Sequence, residues 1–486
     1  MTSNNKIVLV GGSFTNMLLA LKLKLDNPLR EITIIEKNKE LGGLYRTFHY
    51  DEINKFDLEV HMYSDTGDQE IDNLVYELLP ENQWNVLQGT KRDIAGTYFK
   101  GRLQLNTSYV DLRSFPKEKK SRFLGDLFLN INEVTKPYEY SNTEDFLRAK
   151  FGNGLFEEIF SPILEKHYKT DAKNLDVMAT HIIPFNRVAI YEDEELADLM
   201  QAERIRSRIA FPDQHKLPSC YQRDSRILYP NKFGIDQITN ALAEKLTKLG
   251  VKLFTETNIE KVNIVNKTIN GISIETPRGK EELNLDRIFW GAGLLSLSKI
   301  LNLKQKINFE SQKAAFVNLK FDKALKSKDL YYFYVFDSGF STFRVTNYAA
   351  YCPNAADESG FPVCVCVWPE QNATAEEIRE TAIRELKAMS VIDDSYKINF
   401  SAVEFSNGFP KMTSNNINQM DQLRNNIQEL KISNLNTVGL LSKPGLFYLT
   451  EILLDAFEQA RNLDAGFNRN NKKNLFMKLK RKEVNV

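Results

Sequence analysis

Two features of this chain could do chemistry through backbone and carboxylate groups alone. Gly11-Gly12-Ser13 lies between a short β-branched run, Ile7–Val10, and a helical stretch, Phe14–Leu25. A strand–turn–helix passage of this kind aims free N–H groups and the positive end of a helix at a phosphate. Glu36 closes the next apolar run, Ile32–Ile35, where a carboxylate can hold the hydroxyl pair of a ribose. Turn and acid together are the parts of a dinucleotide site. The other candidates lie in the second half. Tyr332 and Tyr334 share one strand face by period-two alternation, and Arg344 carries a planar fork suited to carboxylate or phosphate.

The elements that must position them read as a βαβ unit. Met17, Leu18, Leu21 and Leu25 recur on one helix face, and the two flanking apolar runs suit buried parallel strands. The dinucleotide fingerprint Gly-x-Gly-x-x-Gly keeps only its first glycine here, because Ser13 and Asn16 hold the other two positions. Serine is small and asparagine tolerates unusual φ, so the turn can still close.

Glu36-Lys37 is followed by Gly42-Gly43-Leu44, a second glycine turn. The arrangement resembles flavoproteins of the amine oxidase, protoporphyrinogen oxidase and UDP-galactopyranose mutase group. Further islands of likeness follow in the same order. Phe56–Ser64 resembles the segment that holds a histidine over the flavin, with Glu59 where the group's G-x-H pattern has glycine and His61 as its histidine. Thr97–Gln104 resembles the group's hairpin. Phe160–Asp171 resembles its P-x-x-x-K-x-W-G signature, with Tyr168 for the tryptophan. Thr180–Arg187 falls in its R-x-P-V-R region, with Arg187 on the first arginine and Tyr191 on the second. Leu228–Ile238 resembles its Y-P-x-x-G entry to a helix. Leu435–Gly445 leads into the helix Tyr448–Ala460, as in the group's closing motif.

The resemblance implies FAD, bound non-covalently. It implies contacts from Gly11, Gly12, Ser13 and Asn16 in the first turn, and from Glu36, Lys37, Gly42, Gly43 and Leu44 around the second. Val262 would lie by the adenine, and Gly291 and Gly293, in the glycine turn after a strand, would touch the cofactor. Gly439, Tyr448, Leu449 and Thr450 belong to the closing motif. His61 and Arg344 are the implied catalytic residues. Arg187, Tyr332, Tyr334, Tyr348 and Lys443 are the implied substrate contacts. The expected fold is α/β (α+β overall), a Rossmann-like two-lobed FAD-binding fold with an inserted helical and antiparallel-sheet substrate domain. Its FAD-binding part is expected from 1–110, 220–300 and 435–470, with a mostly helical insertion over 111–219, a substrate sheet lobe over 301–434 and a basic tail over 471–486. Three activities are in view. One is flavin-dependent chemistry on a sugar nucleotide or related glycan precursor in polysaccharide biosynthesis, as in the mutase. The second is oxidation of an amine or other reduced carbon, and the third is a catalytically silent binding protein.

Composition narrows the partners. The 64 basic and 64 acidic residues balance, which argues against nucleic acid as the main partner; a small-molecule substrate is what the resemblance implies. No apolar run is long enough to span a bilayer, and Met1–Lys6 is polar with Ile7–Val10 too short for a signal peptide. Lys472–Lys482 is basic, giving at most weak peripheral contact with anionic lipid. Four cysteines make no disulfide framework. Cys364 and Cys366 alternate with valines and read as strand core rather than a metal or redox pair. The 31 Phe and 19 Tyr suit a deep pocket or a large core equally. A soluble cytoplasmic protein without a metal is expected; the oligomeric state is open.

Overall fold

The structure is a computed structural model that describes residues 5–464 apart from 106, 134–135, 220–221, 305–306 and 328; the basic stretch Lys472–Lys482 lies outside the described residues. The βαβ unit forms as expected: β1 (Lys6–Val10), α1 (Phe14–Asp26) and β2 (Glu31–Ile35). β1 is central in a five-stranded parallel sheet. β2 and then Lys252–Phe254 lie on one side, Arg287–Trp290 and then Leu435–Thr437 on the other. Both faces are covered, which is why β1 is a run of apolar residues. Ile7 and Leu9 pack with α1 and the helices Asp236–Lys248 and Leu449–Asp464, whereas Val8 and Val10 pack with Ile272, Trp290 and Leu423 on the other face. The last helix begins at Leu449 and runs to Asp464, slightly offset from the expected Tyr448–Ala460.

A seven-stranded sheet forms a second wall. Its order is Ile398–Pro410, Ser311–Phe321, Phe361–Val367, Thr342–Asn347, Tyr332–Val335, Ala95–Phe99 and Arg102–Gln104. The Ala95–Gln104 hairpin, expected with the first 110 residues, is thus part of the sheet built mainly from 301–434. Ala95–Phe99 pairs in parallel with Tyr332–Val335 on one edge and antiparallel with Arg102–Gln104 on the other. All five of its residues are buried, so it needs partners on both sides. Cys364 and Cys366 are buried in the strand core, as their alternation predicts.

Residues 111–219 are mostly helical, around an apolar cluster that includes Phe123, Phe151, Phe160 and Phe185. Among the described residues no helix is long and apolar enough to cross a membrane, and no group of three or more His, Cys, Asp or Glu could hold a metal ion.

Candidate functional site

The two glycine turns stack on each other at the carboxyl end of the parallel sheet, where open α/β sheets bind ligands. Gly42 N–H donates to Gly12 O at 2.7 Å, Phe14 N–H donates to Gly42 O at 3.2 Å, and Ser13 and Gly42 form a parallel bridge. This closure requires glycine. A Cβ on Gly12 would stand 2.4 Å from the Leu41 side chain, and one on Gly42 would stand 2.5 Å from Tyr45 O, with φ at +103°. Gly43 is exposed above Ser13, and Leu44 is 62% exposed.

The missing third glycine has a local answer. Asn16 is fully buried, and its Nδ2 donates to Val10 O (2.9 Å) and Gly11 O (2.8 Å), tying α1 to the end of β1. A Cβ on Gly291 would lie 2.4 Å from that same Nδ2. Space lost at the helix is therefore recovered on the neighbouring strand. Ser13 caps α1, its Oγ accepting from Asn16 N–H at 3.3 Å.

Glu36 sits at the end of β2 beside this turn. Its Oε2 accepts from Gly12 N–H (2.7 Å) and its Oε1 from Asn38 N–H (2.9 Å). Each carboxylate oxygen retains a further lone pair, so the acid can also receive ribose hydroxyls. Lys37 is exposed next to it. The strand Asn258–Val265 approaches Glu36 through Thr257, whose N–H donates to Glu36 O at 2.9 Å; Val262 lies farther along and is buried in the core.

The sheet's far side brings in the closing motif. Val438 N–H donates to Trp290 O at 2.9 Å, so Gly439 and Gly291 become neighbours, whereas nothing stands within 4 Å of a Cβ on Gly293. At the start of the last helix, Glu451 Oε2 accepts from Phe447 N–H (3.0 Å) and Tyr448 N–H (2.9 Å). A carboxylate therefore already compensates that terminus. Tyr448 is 45% exposed, and its hydroxyl donates to His181 O at 3.1 Å. That contact ties the closing motif to the helical segment; His181 escaped sequence reasoning because only the fold pairs the two. Leu449 and Thr450 are half-buried in the first turn. Lys443 is spent on an ion pair with Asp455 of the same helix.

His61 is drawn to the second glycine turn through Tyr45. The Tyr45 ring stacks on Phe14 at 4.7 Å, stands 6.0 Å from the His61 ring, and donates its hydroxyl to Met62 O at 3.0 Å. His61 Nδ1 bonds Leu58 O, which makes Nδ1 the protonated nitrogen and leaves Nε2 as an acceptor. Burial lowers the His61 pKa, so the ring is neutral at pH 7.

Glu59, in the glycine position of the same segment, adopts φ +60° and forms an ion pair with Arg344 across to the seven-stranded sheet. Burial opposes the charge on Arg344, and Glu59 restores it, leaving its pKa well above the ordinary value. Tyr334 lies beside this pair and is held neutral by burial. Its ring meets Tyr332 edge-on at 5.6 Å, confirming the shared face, and Tyr332 donates to Asp93 Oδ1 at 2.9 Å. Tyr348 is wholly buried and donates to Asp57 O at 2.7 Å. Arg187 is half-buried in the helical segment, where its charge helps depress the pKa of Lys150.

No family model and no curated protein matches this chain. Solved structures do. A reduced UDP-galactopyranose mutase superimposes with a TM-score of 0.71 at 15% identity, over 96% of this chain and 95% of that one. A protein from an Exiguobacterium species assigned as a protoporphyrinogen oxidase gives 0.66 at 15% identity, over 96% and 100%. An oxidoreductase from Methanosarcina mazei gives 0.58 at 13% identity, over 94% and 100%. Over nearly its whole length this chain therefore shares the fold of these solved structures, a mutase and two proteins assigned as oxidoreductases.

Proposed function

We propose that this protein is an FAD-dependent enzyme acting on a sugar nucleotide or a related glycan precursor. The observation that carries the reading is the stacking of the Gly11–Ser13 and Gly42–Gly43 turns beside Glu36, with Gly439 delivered to the same sheet end by the last strand. The residues present fit the nucleotide half of FAD. The glycines leave backbone where a Cβ would collide, the capped N-terminus of α1 faces the turn, and Glu36 has acceptor capacity for a ribose. Ser13, Gly43 and the first turn of α1 would hold the pyrophosphate. When bound, FAD would supply a ring nitrogen able to bond a sugar carbon or take a hydride.

The chain's own residues would do the rest. His61, neutral and with Nε2 unprotonated, can accept a proton at that atom. The Tyr45 ring, stacked on Phe14, stands beside it. Arg344, from the seven-stranded sheet, would face the substrate as a net-neutral pair with Glu59. The mutase superposition favours the sugar-nucleotide reading, and the oxidase and oxidoreductase superpositions favour oxidation of an amine or other reduced carbon. Spectra of the purified protein separate them. Flavin absorbance, with turnover of UDP-galactose only after dithionite reduction, is expected. Bleaching by an amine with peroxide formed in air would overturn the mutase reading. A colourless protein that ignores added FAD would overturn both.

A further inference from the structure

A small cavity lies where the seven-stranded sheet and Glu59 meet the helical segment. It measures about 50 Å³ and is lined by Glu59, His167, Ile182, Tyr334, Phe343, Arg344 and Trp368. Three buried polar atoms on this lining have no hydrogen-bond partner: Glu59 Oε1, His167 Nε2 and Arg344 Nε. Native interiors leave few such atoms, and each calls for an explanation. His167 is only 3% exposed. Glu59 is also held at φ +60°, a conformation that costs a side-chain-bearing residue and persists where the surroundings impose it.

The protonation of His167 follows from its other nitrogen. Trp368 Nε1–H approaches His167 Nδ1 at 3.3 Å, and an indole can only donate, so Nδ1 accepts. Burial, with Lys166 and Lys169 nearby, holds the ring well away from protonation. The hydrogen therefore sits on Nε2, and His167 offers one unused donor. Glu59 Oε1 offers an unused acceptor. The charges of Glu59 and Arg344 cancel within the lining, so a phosphate or an ammonium would arrive without compensation. A hydrocarbon would leave all three polar atoms unpaired. Phe343 and Trp368, stacked at 4.0 Å, add an aromatic wall. The volume holds a few waters or one small hydroxylated group.

We propose that this cavity is a subsite for a neutral hydroxyl group of a sugar or polyol, accepting from His167 Nε2–H and donating to Glu59 Oε1. The inference rests on the sugar-substrate reading and assigns His167 and Glu59 to specificity within it. His167 lies inside the Pro162–Tyr168 signature, which draws attention to its neighbours Lys166 and Tyr168 and not to the residue between them.

The test follows the Nε2 resonance of His167 in the full-length protein labelled with ¹⁵N-histidine, assigned by its loss in His167→Gln. Methyl β-D-galactopyranoside, UDP and UDP-galactose are titrated in turn. The resonance is expected to shift with the galactoside and with UDP-galactose, and to stay in place with UDP. His167→Phe should weaken galactoside binding at least tenfold, while His167→Gln, which keeps a donor, should restore most of it. A resonance that ignores both hydroxylated probes, showing an ordered water only, overturns the subsite even if UDP-galactose binds elsewhere. A shift with the galactoside and no binding of either nucleotide keeps the subsite and overturns the sugar-nucleotide reading.

Discussion

Glu59 and Arg344 stand 285 positions apart in sequence and meet as a buried ion pair that joins the His61 segment to the seven-stranded sheet. Their side chains are only 11% and 16% exposed, so neither charge has water as a ready substitute. Removing one partner of such a pair costs about 3–5 kcal/mol, whereas replacing both with apolar groups is often neutral. Glu59→Ala is expected to destabilise the protein by about that amount in urea melts, and Glu59→Leu/Arg344→Met to recover most of it. Glu59→Gly should lose about 1 kcal/mol less than Glu59→Ala, because glycine meets a positive φ without strain.

Asn16 and Gly291 form a second coupled pair. Gly291→Ala forces a methyl group onto Asn16 Nδ2 and should cost about 1–3 kcal/mol. In an Asn16→Gly background the same change should cost markedly less. A double-mutant cycle by chemical denaturation reads the coupling directly.

For the cofactor, Glu36→Ala removes the acceptor shared by Gly12 N–H and Asn38 N–H. Loss of a charge-assisted bond of about 1.5–3 kcal/mol predicts FAD affinity lower by roughly ten- to a hundred-fold, measured by flavin fluorescence. Unchanged FAD occupancy would remove Glu36 from the ribose site.

His61→Ala should keep FAD bound and slow turnover by about 10²–10⁴-fold, the usual contribution of a positioned proton acceptor. Unchanged rates would reduce His61 to a packing residue under Tyr45.

The pH dependence of stability should carry the mark of Lys166. Its Nζ donates to Val335 O (2.5 Å) and Thr342 O (2.9 Å), and burial lowers its pKa to about 7 from 10.5. Between those two values the unfolded chain binds the proton and the folded one does not, so stability rises with pH across that window. Lys166→Met should flatten this rise in thermal melts at pH 7 to 10.

Much of this was legible where the signal is local. The apolar runs of β1 and β2, the α1 face and the Gly42–Gly43 turn each depend on neighbouring residues, and each appears where the pattern puts it. The Cys364–Cys366 alternation correctly marked core. What stayed hidden depends on distant partners. Asn16 looks like a defect until Gly291 lies beside it, and Glu59 looks like a lost glycine until Arg344 pairs with it. The Ala95–Gln104 hairpin chooses its sheet through Tyr332–Val335. No pattern within the hairpin announces that choice.

The strand Leu435–Thr437 carries a consequence for how the protein is made. Until the ribosome has passed residue 437, Arg287–Trp290 is an open edge of the parallel sheet, with a row of backbone groups ready to pair with any passing strand. Most of the chain must therefore wait, part-assembled, for its final segment. Nascent or truncated forms would then be the aggregation-prone species, and chaperone demand should peak late in synthesis.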